Sequence, residues 1–244
     1  MKRIIFLFAV LSACSAPAWA TWSLTQVNGS SSCGASSTTC TVTLSSTGAG
    51  HLLVAAVITS KSTTDPITAV TSALCASTWV HCPSCSAASS GPGSVDAYYC
   101  LNSAAGQTSG TFTITSSTGS SWIAVIFEAA ATGAIALDSG ATPDATKVDS
   151  TNCTSCAAPS LTLSGNNDFI VSVAGCGSTC TGVSGAGWTN DLSNPDGDAI
   201  AHGLNVTSMG LTWTQSSSST LVTTAIAFQE SSVASANTSP ARVY

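Results

Sequence analysis

The chain has 244 residues, of which 5 are basic and 11 acidic, so that 7% are charged against about 25% in an ordinary soluble domain. Hydrophobic residues still make up 44%, which excludes wholesale disorder, because disordered chains combine low hydrophobicity with high charge. Five basic side chains cannot neutralise a phosphate backbone, so no nucleic acid is expected as a partner. The length suits one large all-β domain or two small ones.

The first feature in chain order is a predicted secretory signal peptide over residues 1–20. Residues 1–3 are a short basic start, residues 4–11 are an apolar run, and Ala18 and Ala20 are small residues at the positions that signal peptidase reads. The apolar run is too short to span a bilayer, and no later run reaches 18 apolar residues. No transmembrane segment is therefore predicted, and the expected location is secreted, extracellular.

A second hypothesis for the same segment is a lipid anchor. Residues 11–14, Leu-Ser-Ala-Cys, resemble the bacterial lipobox, in which the cysteine is lipidated and becomes the new N-terminus. The alternative location is thus that of a lipoprotein anchored through Cys14. In either case acidic side chains outnumber basic ones, which argues against a polybasic contact with a membrane surface.

Beyond residue 20 the sequence shows a period of two, typical of β-strands, and no sustained period of 3.6. Strands with one buried face, in which Thr or Ser alternates with apolar residues, are predicted at 40–44, 111–115 and 160–164. Central strands, apolar on both faces, are predicted at 52–58, 122–127, 169–173 and 221–228. Weaker strands are predicted at 23–27, 67–71, 78–81, 95–101, 198–204 and 210–214.

About twelve short strands with turn signals between them predict an all-β fold, an antiparallel β-sandwich or jelly roll with disulfide-stapled loops. The Ala-rich segment 128–136 is a candidate helix, but it contains Gly133 and is assigned to a strand end and a loop. A single domain over residues 21–229 is preferred to two, since each half alone would supply few strands. Residues 230–244, rich in Ser, Ala and Thr, are predicted to be a disordered tail.

Ten of the 11 cysteines lie beyond the signal peptide, and an even number in an exported chain predicts five disulfides. Four pairs are close in sequence and lie in stretches rich in Ser, Gly or Pro, as loop staples do. The remaining two cysteines would join strands on either side of one such loop. The predicted pairs are Cys33–Cys40, Cys75–Cys100, Cys82–Cys85, Cys153–Cys156 and Cys176–Cys180.

Two functional alternatives exist for the Cys-Pro-Ser-Cys segment 82–85. It could be a redox pair, although thioredoxin-type motifs open a helix in a βαβ unit, which this sequence does not predict. It could supply half of a Cys₄ zinc site with Cys153 and Cys156, although zinc knuckles hold their pairs about 15–20 residues apart. Structural disulfides are the preferred interpretation.

Several segments follow one another in a recognisable order: GHLLVAAV at 50–57, ITAVT at 67–71, TWV at 78–80, AYYCLNSAAG at 97–106, GTFTIT at 110–115, IAVIFE at 123–128 and ALD at 136–138. This order resembles a diffuse group of secreted bacterial β-sandwich modules over about residues 45–229. The resemblance implies a jelly-roll-like sandwich and a secreted location, and it implies no activity. The group's Asp-x-x-Gly-Asn turn before the Trp is replaced here by residues 72–77, rebuilt around Cys75, which argues against a metal or ligand role for that corner.

Candidate catalytic residues are few. A jelly-roll hydrolase needs two carboxylates facing each other across a cleft, and Glu230 begins the predicted tail. Glu128 could be an acid with a raised pKa, but a strand-end residue reaching solvent is the preferred interpretation. His51, His81 and His202 are interpreted as strand or loop residues, because no Gly-x-Ser-x-Gly elbow occurs and their spacing fits no zinc triad. No catalytic residue and no cofactor is predicted, and a non-catalytic protein is the preferred interpretation.

One loop, residues 194–198, is a candidate calcium-binding site. Residues 194–198, Asn-Pro-Asp-Gly-Asp, place oxygen-bearing side chains at alternate positions, but Gly stands fourth and not sixth, and Asn205 and not Glu stands twelfth. A hairpin turn explains Asn-Pro-Asp-Gly without an ion. Asp138, Asp144 and Asp149 are interpreted as a loose, solvated acidic loop. No metal site is predicted.

Five aromatic residues, Trp79, Trp188, Trp213, Tyr98 and Tyr99, could form a platform on which sugars stack. Sandwich cores use Trp in the same way, and a core role is preferred for the set. Tyr98 and Tyr99 are adjacent, so one is expected to point inward and the other outward. Trp213 is expected in the core, and Trp188 is expected to be the best exposed candidate.

These observations favour a secreted, non-catalytic β-sandwich protein for binding, adhesion or surface structure, with glycans or a cell-surface component as partners. The alternative is a polysaccharide-acting enzyme or its carbohydrate-binding module. A third class, a filament subunit, needs a terminal strand to donate, for which residues 22–27 and the tail are the candidates. An enzyme would show two carboxylates converging in a pocket, whereas a binder would show an exposed aromatic side chain on a face or groove.

Overall fold

The computed structural model describes residues 21–231 except 31–32, 34–36, 63, 65–66, 108, 141, 165–166 and 194–196. The predicted signal peptide, Cys14, residues 232–244 of the predicted tail and the first three residues of the candidate calcium loop lie outside the described residues.

Within this part of the chain, the structure consists of sixteen strands and one 3₁₀ turn, Pro83–Cys85, with no α-helix. The strands are β1 Ser23–Ser30, β2 Ser37–Ser45, β3 Leu52–Thr59, β4 Ile67–Thr71, β5 Val80–His81, β6 Ala87–Ser89, β7 Gly93–Cys100, β8 Ser109–Ser120, β9 Trp122–Ala130, β10 Ala134–Leu137, β11 Asp144–Ala157, β12 Asp168–Cys176, β13 Cys180–Ser184, β14 Trp188–Ser193, β15 Ala199–Val206 and β16 Thr212–Ser231. Every strand pair is antiparallel. The predicted all-β, antiparallel class is confirmed.

The strands form three sheets. The first sheet has the order β1-β9-β3-β7-β5, and β6 also pairs with β7. The second sheet has the order β10-β16-β12-β15-β14, and β11 and β13 also pair with β16. The third sheet has three strands in the order β2-β8-β4. Long-range pairing therefore dominates, since no sheet follows the chain order strand by strand.

The structure has more strands than the dozen predicted, because the additional strands are short or polar and show no sustained apolar alternation. The strands that the sequence does not predict are β6, β10, β11, β13 and β14. Residues 212–214 of one predicted segment and 221–228 of another are parts of one strand, β16, which continues between them with Gln215 paired to β13 and Ser219 paired to β11. Segment 160–164, predicted as a strand, contributes only the isolated bridge between Thr142 and Thr162. Residues 128–133 hold the end of β9 and a loop, as predicted, but residues 134–136 begin β10, which the sequence does not predict. β16 continues two residues past the predicted domain end.

The first sheet is buried on both faces, which explains why its strands are apolar without alternation. On β3, Leu52, Val54, Ala56 and Ile58 pack in a cluster with residues of the second sheet such as Phe228. The residues between them on β3 pack instead in a second cluster with the third sheet. Side chains alternate between the faces of a strand, so both sets must be apolar when both faces are covered.

The outer face of the second sheet carries a third hydrophobic cluster. It contains Trp213, Leu211 and Met209, and residues of the loop before β12, Leu161 and Leu163, pack against it. This loop also forms the bridge described above, which joins it to the segment between β10 and β11. The second sheet is therefore also covered on both faces over part of its area.

The ten cysteines form five disulfides, the pairs that the spacing predicts: Cys33–Cys40, Cys75–Cys100, Cys82–Cys85, Cys153–Cys156 and Cys176–Cys180. Four of them close loops within 7 residues of chain, whereas Cys75–Cys100 spans 25. Among the described residues, no helix has the length and apolarity needed to cross a membrane.

Candidate binding groove

A groove of about 610 Å³ opens where the edges of two sheets meet. One wall comes from β4, the edge strand of the third sheet, and the other from β5 and β7 of the first sheet. The lining residues are Ile67, Thr68, Ala69, Val70, Trp79, His81, Pro83 and Tyr98. This volume lies in the range of about 300–1,000 Å³ that is typical of small-molecule sites.

The imidazole of His81 is fixed in this groove from two sides. Its Nε2 lies 2.8 Å from Oδ1 of Asp96, a carboxylate with 0% exposure, so the nitrogen carries the proton and donates. Its ring stacks on the Tyr98 ring with 4.6 Å between centroids and 29° between planes. Because 28% of the His81 side chain remains exposed, the ring presents a positioned surface to the groove.

The strand register explains how these three residues meet. His81 on β5 pairs directly with Tyr98 on β7, and Asp96 lies two residues away from Tyr98 on the same face of β7. Directly opposed and diagonal residues on one face of an antiparallel pair lie within side-chain reach. The sequence interpretation of His81 as an ordinary strand residue misses this arrangement, since only the register reveals it.

Tyr98 also joins the two walls of the groove. Its hydroxyl donates a hydrogen bond of 3.0 Å to the carbonyl of Ile67, the first residue of β4. The rest of the side chain is buried, and Trp79 packs, half-buried, against the same hydrophobic cluster. The three rings of Trp79, His81 and Tyr98 therefore form one aromatic wall.

Disulfides hold the segment that carries this wall, which has little regular structure of its own. Cys75–Cys100 ties its start to the end of β7, and Cys82–Cys85 closes the 3₁₀ turn that follows His81. Pro83 of that turn lines the groove. Cys75–Cys100 therefore anchors one end of the segment to β7, and Cys82–Cys85 stiffens the turn at its other end.

Behind the turn, Cys82 and Cys85 lie beside a carboxylate. The two sulfurs and a carboxylate oxygen of Asp144 lie within 4.8 Å of one another, and Cys82 Sγ is 2.8 Å from Asp144 Oδ2. Burial raises the pKa of Asp144, and burial together with the charge of Asp144 raises the pKa of Tyr99.

The sulfurs of Cys82 and Cys85 are joined to each other, and Cys153–Cys156 lies on the outer face of the second sheet. The structure therefore does not bring the four cysteines of the zinc hypothesis together.

Glu128, the candidate acid, lies away from the groove and does not reach solvent. Its exposure is 0%, and its carboxylate accepts hydrogen bonds from the Gly48 backbone N–H at 2.7 Å, from His51 Nδ1 at 2.6 Å and from Gln26 Nε2. The prediction of a solvated strand end is wrong, because the loop before β3 folds over the end of β9. Glu128 organises this corner together with Ser103, whose hydroxyl donates to the Gly48 carbonyl at 2.6 Å.

The third histidine is part of another separate pair. His202 Nδ1 lies 2.8 Å from Asp191 Oδ2, both side chains are nearly buried, and the His202 ring lies 6.0 Å from those of Phe127 and Phe169. The three histidines thus lie at three places, each with its own carboxylate. The structure does not assemble them into a common site.

The aromatic platform forms in part only. Trp213 is in the core as predicted, and Tyr99 packs edge-on against Phe228 in the first cluster. Trp188 is half-buried against the third cluster, and the prediction that one of the adjacent tyrosines points outward is wrong, because both faces of β7 are covered. Of the five aromatic residues, Trp79 and Tyr98 reach the groove.

The three aspartates interpreted as a solvated acidic loop are also separated. Asp138 has 2% exposure at the end of β10, whereas Asp144 begins β11 beside Cys82. Asp149 lies five residues further along β11, where it pairs with Leu221. The interpretation as a solvated loop is therefore wrong for Asp138.

No protein-family model, no curated protein and no solved structure matches this chain.

Proposed function

We propose that this chain is a secreted, non-catalytic glycan-binding protein of the β-sandwich, jelly-roll-like kind, and that the groove is its binding site. One observation carries the proposal. The His81 imidazole, held between Asp96 and Tyr98, lies with Trp79 in a groove of small-molecule size at the junction of two sheet edges.

The lining suits the two kinds of surface that a sugar ring presents. Aromatic faces such as that of Trp79 pack against the C–H face of a sugar, and hydroxyl and imidazole groups such as those of Thr68 and His81 hydrogen-bond to its hydroxyls. The described lining residues include no Asp, Glu, Lys or Arg. Neutral glycans are therefore the expected class of ligand.

The rigidity of the groove favours binding. Side chains that are already held in place lose little conformational entropy when a ligand binds. Here hydrogen bonds hold His81 and Tyr98, and two disulfides hold the segment that carries Trp79. A preformed site of this kind fits a binding module.

The wider structure supports the remaining parts of the proposal. The packing of the first sheet between the other two supports a sandwich-type fold. Five disulfides support secretion, because disulfides form and persist in oxidising compartments outside the cytosol.

The alternative of a polysaccharide-acting enzyme draws on the His81–Asp96 pair, since a carboxylate orients a histidine base in many hydrolases. Glycoside hydrolysis also needs a second acid or base in the cleft, and the described lining of the groove offers no carboxylate. This comparison favours binding over hydrolysis.

The test is a glycan array probed with the mature, oxidised protein, followed by incubation of the bound polysaccharides and a search for new reducing ends. We expect binding to neutral glycans without cleavage. Failure to bind any neutral glycan would contradict the proposal. Cleavage that His81→Gln abolishes would favour the enzyme alternative.

A further inference from the structure

Three adjacent strands of the second sheet bring polar side chains together at one end of the sheet. β16 lies between β10 and β12, and its Phe228 pairs with Leu137 on one side and Phe169 on the other. These three residues face the first hydrophobic cluster. Their chain neighbours Asp138, Gln229 and Asp168 lie together at this end of the sheet, since Ser164 contacts both Asp138 and Gln229, and Asp168 lies beside Asp138.

The loop before β12 covers this end of the sheet with Ser164. Both the backbone N–H and the hydroxyl of Ser164 donate to Asp138 Oδ1, and the N–H also lies 2.9 Å from Oδ2. The same hydroxyl oxygen lies 3.0 Å from Gln229 Oε1 and 3.1 Å from the hydroxyl oxygen of Ser139. A hydroxyl group has one proton, so it cannot donate to both Asp138 and Gln229. The Gly140 backbone N–H also donates to Asp138 Oδ1, at 2.9 Å, so the Ser164 proton that goes to Asp138 leaves the contact with Gln229 Oε1 without a proton.

Asp168 is the group whose burial is least compensated. Its exposure is 0%, and within the described part of the chain no N–H or O–H group donates to either carboxylate oxygen. Burial raises the pKa of Asp168 to about 7, with further contributions from the charge of the neighbouring Asp138 and from the side-chain hydrogen bond that the protonated carboxyl makes to Asp138. Native proteins rarely leave a buried carboxylate unpaired, because the cost of removing it from water is not repaid.

No positive side chain is built into the site. Residues 134–140, residues 160–164, β12 and β16 contain no Lys and no Arg. Two facing carboxylates without a basic partner, an amide oxygen and a hydroxyl are the donor set of a hard cation. Calcium takes six to eight oxygen ligands from carboxylates, amide carbonyls and water in flexible geometry, whereas zinc prefers nitrogen and sulfur.

We propose that Asp138, Asp168 and Gln229, together with the Ser164 hydroxyl, form a calcium-binding site. The ion would neutralise the two carboxylates and tie the loop before β12 to the ends of three strands. Calcium sites in extracellular modules have dissociation constants of about 10⁻⁴–10⁻³ M, which is the range expected here. The site lies at one end of the second sheet, so it is independent of the groove between the first and third sheets.

The test uses the full mature chain with its disulfides intact, freed of metal by dialysis against a chelator. Isothermal titration with CaCl₂ and with MgCl₂, together with the thermal unfolding midpoint in each salt, gives affinity and stabilisation. We expect saturable binding of calcium in the stated range and a rise in the midpoint. The increase in magnesium should be smaller, because magnesium demands a stricter octahedral geometry.

Three variants make the result specific. Asp168→Asn should fold, because it removes a buried charge, and should lose both the calcium binding and the midpoint shift. Asp144→Asn, a matched change at a partly buried aspartate on another strand, should keep both. Asp196→Asn tests the candidate loop at 194–198. Absence of calcium binding in the unmodified chain, or binding that survives Asp168→Asn, would overturn the proposal, as would binding lost only in Asp196→Asn.

Discussion

The rings of His81 and Tyr98 lie face to face, with 4.6 Å between their centroids, because the two residues pair directly across β5 and β7. Each ring has a second anchor: the imidazole donates to Asp96 on β7, and the phenol donates to the Ile67 carbonyl on β4. One stacked pair therefore lines the groove and joins β7 of the first sheet to β4 of the third.

Replacing Tyr98 with Phe removes the hydroxyl that joins the walls and keeps the stacked ring. We expect the free energy of unfolding to fall by about 1 kcal/mol, the usual net value of one hydrogen bond, with more where the Ile67 carbonyl is left unsatisfied. Urea denaturation of the oxidised chain measures this change. Tyr99→Phe, on the other face of β7, is the matched control, and an equal or larger loss there would contradict the assignment.

Gly48 makes room for the His51 ring. A Cβ at this position would collide with the imidazole, so Gly48→Ala must displace the ring from Glu128. The expected loss of stability is about 1–3 kcal/mol, the range for a buried group left without its partner. The same substitution should lower the free energy of unfolding much less in the His51→Ala background, and a double-mutant cycle measures the difference.

The control for this cycle is Gly210→Ala, where a Cβ would meet nothing closer than the Ser208 hydroxyl at 3.7 Å. That substitution should be nearly neutral. An equal cost of Gly48→Ala in both backgrounds would show that the glycine has some role other than contact with His51.

The groove at His81 and the corner at Glu128 show what the sequence can and cannot predict. Central strands such as β3 and β9 are recognisable because covered faces must be apolar, and the cysteine pairs follow from spacing in polar loops. Whether a carboxylate is buried, however, depends on partners that are distant in the sequence. Glu128 is buried because Gly48 and His51, 80 and 77 residues earlier in the chain, supply donors.

The groove cannot be predicted from the sequence for the same reason. His81 and Asp96 are 15 residues apart, and nothing short of the register of β5 on β7 places them together. The layering of the sheets is equally invisible: Tyr98 and Tyr99 are both buried because two different sheets cover β7. Polar strands such as β11 pair along β16 without the apolar pattern that would reveal them.

The Cys75–Cys100 disulfide should stabilise the chain most, since it closes the longest loop. A loop of this size is worth roughly 3–4 kcal/mol in the chain-entropy model, and the shorter loops are worth less. The double variant Cys75→Ser/Cys100→Ser should therefore unfold at a lower urea concentration than Cys33→Ser/Cys40→Ser. Peptide mapping without reduction provides the accompanying check, and a link from Cys82 or Cys85 to Cys153 or Cys156 would contradict the pairing.

Asp144 should make the chain less stable as the pH rises. Burial raises its pKa in the folded state above 3.8, so the folded chain holds the proton more tightly than the unfolded chain does. The resulting contribution to stability is present below pH 3.8 and is lost as the pH rises through the raised pKa. Asp144→Asn should flatten this part of the profile of unfolding free energy against pH. A profile unchanged by the substitution would show that the carboxyl titrates alike in both states.

The central claim is that Trp79 and His81 recognise a neutral glycan, and isothermal titration with the best glycan from the array tests it directly. Trp79→Ala should weaken binding by about tenfold or more, equivalent to about 1.4 kcal/mol, and His81→Ala should do the same. Val148→Thr, at an exposed apolar side chain on β11, is the control and should bind as the unmodified chain does. Unchanged affinity in folded Trp79→Ala and His81→Ala variants would contradict the account.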